Sequence, residues 1–141
     1  MTYNTLLLFL GVVTSVANAA MNNTIDTSTY ANIEQVHSTH LELNFEVDFA
    51  REVFEGSVTH WMNISDAAVT SVFFDAAGLT VSKTQFMLMA ENQTWMDATF
   101  AMTTPNANLG DAIEVTIPTI EGVTLKVGDT IMIKMTYVTN E

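Results

Sequence analysis

The sequence of 141 residues contains no cysteine, only two prolines, and four Lys or Arg against 16 Asp or Glu. Without cysteine, the chain has no disulfide, no CxxC redox motif, no thiolate-ligated zinc and no cysteine nucleophile. The shortage of basic side chains disfavours nucleic acid and anionic membrane surfaces as partners, because both are bound through clustered Lys and Arg. Hydrophobic residues make up 48% of the chain, too many for disorder, so we expect one acidic globular domain.

The sequence also lacks an apolar run long enough to span a membrane, which needs about 20 residues. Its longest run, at residues 6–13 (LLLFLGVV), is followed by small residues that end in Ala17-Asn18-Ala19-Ala20. This order is typical of a signal peptide over residues 1–20, cleaved after Ala19 or Ala20, although the first five residues carry no Lys or Arg. We therefore expect a protein of the secretory pathway, or a periplasmic one if the source is bacterial.

Three Asn-x-Ser/Thr sequons, at Asn22, Asn63 and Asn92, are possible N-glycosylation sites in such a protein. Ser and Thr are so common in this chain that about two sequons are expected by chance. The sequons alone therefore indicate little about function.

Residues 21–35 are polar and unpatterned, which predicts a flexible lead-in, and period-two alternation begins at residue 36. In residues 41–49 apolar side chains alternate with polar ones, as expected for a strand with one face on the core. A turn at residues 48–51 joins it to a second alternating run, in which His60 shares a face with Val58 and Met62. Further strands are predicted at residues 69–75, 79–89, 94–102, 112–118 and 130–139.

Turn signals separate these runs, at Ala77-Gly78, Pro105-Asn106, residues 109–111, Glu121-Gly122 and Gly128-Asp129. The sequence shows no amphipathic helical window. It therefore predicts an all-β fold, an antiparallel β-sandwich or saddle-like set of curved sheets, over residues 36–141.

Catalytic and metal-binding motifs are missing: the sequence has no HExxH, GxSxG, P-loop, GxGxxG or EF-hand pattern. His37 and His40 are three residues apart, which on a regular strand places them on opposite faces and argues against a shared metal. We expect His60 to be a buried, neutral imidazole with a hydrogen-bond partner. No residue is predicted to be catalytic, to bind a metal or to bind a cofactor.

Trp61 and Trp95 could stack a sugar if they were exposed, but large aromatic residues in strands more often belong to the core. Several of the nine methionines fall together, and we expect them to fill the core rather than to form a binding surface. They are Met87, Met89, Met96 and Met102.

Residues 40–140 resemble the N-terminal β domain of the M1 family of zinc aminopeptidases, nearest the leukotriene A4 hydrolase branch. The resemblance rests on the order and spacing of five segments rather than on any single motif. They are HLEL (40–43), VDFAR (47–51), FEGSV (54–58), VFFDAAGLTV (72–81) and VGDTIMIKMTY (127–137).

The resemblance implies a saddle of antiparallel sheets that packs on a thermolysin-like catalytic domain and walls its cleft. In that family the zinc is held by HExxH and a downstream Glu, and a GxMEN-type loop binds the amino end of the peptide. None of these residues occurs here, and a glutamine that helps to hold the substrate amine would come beyond Glu141. The resemblance therefore predicts an incomplete portion of an exported zinc aminopeptidase, with zinc in the absent catalytic domain.

Two other functions fit the residues. A stand-alone secreted β-sandwich could bind sugar, peptide or a surface through exposed aromatics or a concave apolar patch. An independent small enzyme would need a cluster of titratable groups with shifted pKa values, which the sequence does not indicate.

Overall fold

A computed structural model describes residues 27–90 and 93–140, and within them the chain is all-β. The signal peptide predicted for residues 1–20 lies outside the described residues. Eight strands follow in chain order: β1 Val36–Asp48, β2 Val53–Ile64, β3 Ser71–Ala76, β4 Leu79–Leu88, β5 Met96–Ala98, β6 Phe100–Asn106, β7 Gly110–Thr116 and β8 Thr130–Thr139. In the part of the chain described, no helix is long and apolar enough to cross a membrane.

The strands form two antiparallel sheets, which confirms the predicted fold class. The larger sheet has the order β1-β2-β8-β4-β5, and the smaller sheet has the order β3-β7-β6. Apolar residues from both sheets form one buried core; Phe86 and Ile133 of the larger sheet and Val72 and Val115 of the smaller one are fully buried. The core holds the sandwich together, since each side chain of this size gains about 1.5–3 kcal/mol on full burial.

The β1–β2 hairpin is closed by its own turn residues. The Asp48 carboxylate accepts hydrogen bonds from the backbone N–H groups of Ala50 and Arg51, a local arrangement that favours a turn. The Arg51 guanidinium then donates to Asp48 at 2.6 Å and to Glu55 at 2.5 Å. The hydrogen bonds from Arg51 hold the pKa of Asp48 below its usual range. The predicted turn is thus confirmed, one residue further on, at residues 49–52.

The predicted strand at residues 94–102 was wrong in one respect, because two strands occupy it. β5 pairs with β4 in the larger sheet, whereas β6 pairs with β7 in the smaller one. Thr99, between them, marks the change of sheet. The turn predicted at Pro105-Asn106 also lies further on, since both residues are in β6 and the chain turns at residues 107–109. Pro105 is tolerated there because β6 is an edge strand.

The described end of the lead-in lies along the open edge of β3. The Asn32 side chain donates to the carbonyl of Ser71 at 2.9 Å and accepts from the N–H of Phe73 at 3.0 Å. The N–H of Tyr30 donates to the carboxylate of Asp75 at 2.7 Å. These contacts satisfy backbone groups of an edge strand that would otherwise face solvent.

Candidate functional site

An exposed band of apolar side chains lies on the β1–β2 hairpin, and we call it the apolar strip. Its members are between 41% and 58% exposed: Leu41, Leu43, Phe45, Val47 and Phe54. They share the face of the larger sheet that carries the core, because Leu43 pairs with the buried Val58 and Leu41 with His60. Of β1, only Val36 belongs to the buried core. The smaller sheet therefore covers the centre of this face and leaves its β1 side open.

The strip corrects the prediction for residues 41–49. Their alternation correctly predicted a strand with one apolar face, but that face is not buried within the described chain. Phe49, expected on the same face, lies in the turn and is 87% exposed. The sequence pattern is the same for a buried face and an exposed apolar face. Only the position of β1 at the edge of the sheet distinguishes them.

A cavity of about 360 Å³ opens beside the strip, between the two sheets. Its walls are mainly apolar and come from both sheets, including Val58, Val81 and Met135 on one side and Phe74 and Ile113 on the other. Leu43 of the strip lies at this cavity, so the strip and the cavity form one continuous apolar surface. Polar groups are contributed by His60, Asp75 and Tyr137.

His60 is the titratable group of this surface whose pKa is shifted by its surroundings. Its Nδ1 lies 3.1 Å from the Ser38 hydroxyl, and its ring packs against Phe74 with the centroids 4.7 Å apart. Burial lowers the pKa of His60 to about 4, because the apolar surroundings disfavour the charged imidazolium. The predicted hydrogen-bond partner is confirmed, whereas the ring is half-buried rather than fully buried. Such a group orients a ligand by hydrogen bonding but supplies no charge at neutral pH.

The prediction that His37 and His40 lie on opposite faces was wrong. The β1–β2 pairing shifts between Ser38 and His40, where a bulge inserts one extra residue. His37 therefore pairs with Asn63 and His40 with Trp61, two residues of β2 on the same side. His37 Nδ1 lies 3.2 Å from the Ser65 hydroxyl, and the His40 ring meets Trp61 edge-on at 4.9 Å. Across the residues described, no three His, Asp or Glu side chains come together as metal ligands.

The aromatic and methionine residues divide between core and surface. Trp61 is half-buried beside His40, whereas Trp95 is 36% exposed. Met87 is buried, Met96 and Met102 pack against the core, and Met89 is exposed. The core-filling interpretation thus holds for three of the four clustered methionines.

Of the three sequons, only Asn63 lies in the described chain; Asn22 and Asn92 fall outside it. Asn63 is half-buried in β2, and its amide oxygen accepts a hydrogen bond from the Thr130 hydroxyl at 3.0 Å. Glycosylation at these positions stays a prediction.

A second hollow, of about 590 Å³, is lined by residues of β1, β2, β4 and β8 towards the turn end of the hairpin. Its lining includes Glu46, Glu55, Gly56, Ser82 and Thr136. It is broad and lined by both polar and apolar groups, and within the described residues its two carboxylates are not part of a group of three potential metal ligands. Its geometry indicates no reaction.

Neither a protein-family model nor a curated protein matches this sequence. Solved structures do match. Yeast leukotriene A4 hydrolase in complex with bestatin has a TM-score of 0.68 and 18% identity, over 86% of this chain and 17% of that one. Native leukotriene A4 hydrolase from Saccharomyces cerevisiae gives the same TM-score and identity, over 86% of this chain and 18% of that one.

This similarity establishes the fold: the chain has the β architecture of one part of leukotriene A4 hydrolase. The chain spans only about a sixth of the length of the structures that it matches. The structural comparison agrees with the resemblance noted in the sequence.

Proposed function

We propose that this chain is the non-catalytic N-terminal portion of an exported zinc aminopeptidase, in which it walls the active-site cleft and supports peptide binding. The observation that carries the proposal is the match of 86% of the chain to 17% of yeast leukotriene A4 hydrolase at a TM-score of 0.68. Because this fold forms a small part of a larger hydrolase there, we expect this chain to be part of a longer hydrolase as well.

The residues of this chain do not fit a zinc site. The sequence has no HExxH motif, and the described residues offer no group of three His, Asp or Glu ligands. In this proposal the zinc and the residues that activate water belong to the remainder of a longer protein. The chain contributes shape, an apolar contact surface and a hydrogen-bonding imidazole at His60.

The apolar strip supports the proposal because it is the surface on which that remainder would pack. Apolar side chains that are about half exposed gain roughly 1 kcal/mol each when they are covered. Five such side chains side by side are unusual on a free domain and are typical of an interface. The strip therefore accounts for the contact between this portion and the rest of the peptidase.

Two parts of the proposal, export and peptide binding, rest on the sequence rather than on the structure. The leader at residues 1–20 directs the protein to the secretory pathway or periplasm, and the acidic surface, with a net charge of −12, suits a soluble exported protein. Its partners are then the catalytic part of the same protein and its peptide substrate.

The test uses the longer protein purified from its source or expressed from its complete gene. We expect bound zinc and release of N-terminal amino acids from aminoacyl 4-nitroanilides. The double substitution Leu43→Ser/Phe45→Ser should lower its thermal stability and activity, while the same double substitution leaves the stability of the 141-residue chain nearly unchanged. Val127→Ser is the control, since Val127 is 67% exposed and lies far from the strip, at the other end of β8.

A complete protein without zinc or peptidase activity would refute the proposal. The alternative function, a secreted β-sandwich binding module, is favoured by one observation, the exposure of Trp95. In that case sugars or peptides should quench tryptophan fluorescence of the 141-residue chain, and Trp95→Ala should abolish the signal.

A further inference from the structure

The outer edge of β1 is an open strand edge. β1 is the terminal strand of the larger sheet, and in the described chain no segment pairs with its free side. The N–H of Phe54 donates to the Thr139 hydroxyl on the β8 side, so Phe54 and its partner Val47 form a non-hydrogen-bonded pair. By alternation, the backbone N–H and C=O groups of Leu41, Leu43, Phe45 and Val47 all point to the open edge.

Apart from the charges of Glu42 and Glu46, this edge lacks the features with which proteins normally protect an edge strand. Between residues 41 and 47 there is no lysine and no proline, and the bulge lies earlier, between Ser38 and His40. In the smaller sheet, by contrast, backbone groups at the free edge of β3 form hydrogen bonds with the side chain of Asn32. The β1 edge therefore offers seven residues for pairing with an added strand.

The two faces beside this edge differ in chemistry. One face carries Leu41, Leu43, Phe45 and Val47 of the apolar strip. The other carries Glu42, Asn44 and Glu46, and neither glutamate forms an ion pair in the described part of the chain. Arg51, in the turn that follows β1, is already bonded to Asp48 and Glu55.

We propose that the β1 edge, from Leu41 to Val47, binds an extended segment of another protein in which apolar residues alternate with Lys or Arg. In an antiparallel pairing, apolar residues of that segment lie opposite Leu41, Leu43, Phe45 and Val47 and extend the strip. Its basic residues lie opposite Glu42 and Glu46, at the non-hydrogen-bonded positions where cross-strand side chains come closest. Strand addition of this kind is a known mode of peptide recognition.

A second copy of this chain fits the edge less well. Each copy carries a net charge of −12, so two copies repel, and the outer face of residues 41–47 has glutamates but no basic residue to meet them. This inference does not depend on the proposed peptidase function, because the edge is open whether or not the strip is covered.

The experiment titrates the 141-residue chain into the peptide Gly-Gly-Val-Lys-Val-Thr-Val-Lys-Val-amide, labelled with fluorescein at its amino terminus, and follows anisotropy at low salt. Binding should weaken as salt is raised. Glu42→Gln and Glu46→Gln should each weaken it about two- to fivefold, the effect of one cross-strand charge pair. Glu121→Gln, in an exposed loop, is the matched control and should leave it unchanged.

Two further comparisons test strand addition itself. N-methylation of the third of the four valines, which lies opposite Leu43, removes an N–H that faces the β1 edge and should weaken binding at least about fivefold, whereas N-methylation of the threonine should have less effect. Leu43→Pro removes an outward N–H and should reduce binding more than Leu43→Ala, which keeps it.

Four results would overturn the proposal. They are no saturable binding, equal binding of a peptide with Glu in place of Lys, equal effects of the two N-methylations, and a concentration-dependent dimer of the chain in sedimentation velocity that Leu43→Pro abolishes. The last result would assign the edge to a second copy. None of the four bears on zinc content or peptidase activity of a longer protein, so the two proposals fail independently.

Discussion

The imidazole of His60 and the ring of Phe74 lie 4.7 Å apart, although His60 belongs to the larger sheet and Phe74 to the smaller one. The contact joins the two layers of the sandwich at the cavity beside the apolar strip. It also removes much of the water around His60, which lowers the pKa of this histidine to about 4.

The lowered pKa of His60 predicts a loss of stability as the pH falls. Below about pH 6.5 the unfolded chain takes up a proton on this residue, whereas the folded chain does so only near pH 4. The free energy of unfolding should therefore decrease as pH falls from about 6.5 to about 4, because the unfolded state binds more protons. Urea unfolding at several pH values should show a smaller decrease for His60→Asn than for the exposed control His37→Asn. An NMR titration of His60 with a midpoint near 6.5 would contradict this prediction.

The buried core predicts a large difference between two chemically identical substitutions. Ile133 is fully buried between the sheets, whereas Ile33 is 54% exposed. Ile133→Val should lower the free energy of unfolding by about 0.5–1.5 kcal/mol, because it leaves a methyl-sized gap. Ile33→Val should change it by less than about 0.5 kcal/mol. Chemical denaturation measures both, and equal effects would mean that Ile133 is not in the core.

The close packing around Gly56 predicts that no larger residue fits at this position in the hairpin. A Cβ at this position would lie 2.1 Å from the Asn44 carbonyl oxygen and 2.5 Å from the Phe45 Cα, so the β1 backbone would have to move. Gly56→Ala should lower the free energy of unfolding by about 3 kcal/mol, the upper part of the range for overpacking. Gly122→Ala has open space around it and should cost about 1 kcal/mol, from its left-handed backbone alone. Similar losses for the two variants would refute the close approach of β1 to Gly56.

The exposure of the apolar strip predicts that the folded chain binds a hydrophobic dye. Fluorescence of anilinonaphthalene sulfonate should fall in Leu43→Ser/Phe45→Ser, because these side chains are 58% and 48% exposed and form a continuous patch. Val127→Ser should leave the fluorescence nearly unchanged, since Val127 lies outside the strip. A dye signal that does not respond to the strip variant would mean that the strip is covered.

The strands could be predicted from the sequence because alternation and turn residues are local signals. The run at residues 130–139 matches β8 residue for residue, and the shared face of Val58, His60 and Met62 follows from period two alone. The bulge at Ser38 and His40 could not be predicted, because it depends on how β1 pairs with β2 and no residue of β1 alone marks it. The split of residues 94–102 between two sheets is likewise set by tertiary pairing.

The candidate site was less predictable than the fold. The sequence correctly placed His60 on the core-facing side of β2, where it is half-buried, but it assigned Leu41, Leu43 and Phe45 to the core. Whether an apolar face is covered depends on which strands lie opposite it, and the smaller sheet leaves residues 41–47 of β1 largely uncovered. The open edge of β1 is also a property of strand order, which no local pattern of residues encodes.

The most direct test of the proposed function is to sequence the transcript through and beyond the codon for Glu141. We expect an open reading frame that continues into an HExxH motif with a downstream glutamate, as in a zinc aminopeptidase. A stop codon directly after Glu141 would contradict it and would leave a β-sandwich without catalytic residues, for which the binding-module function would then be the better explanation.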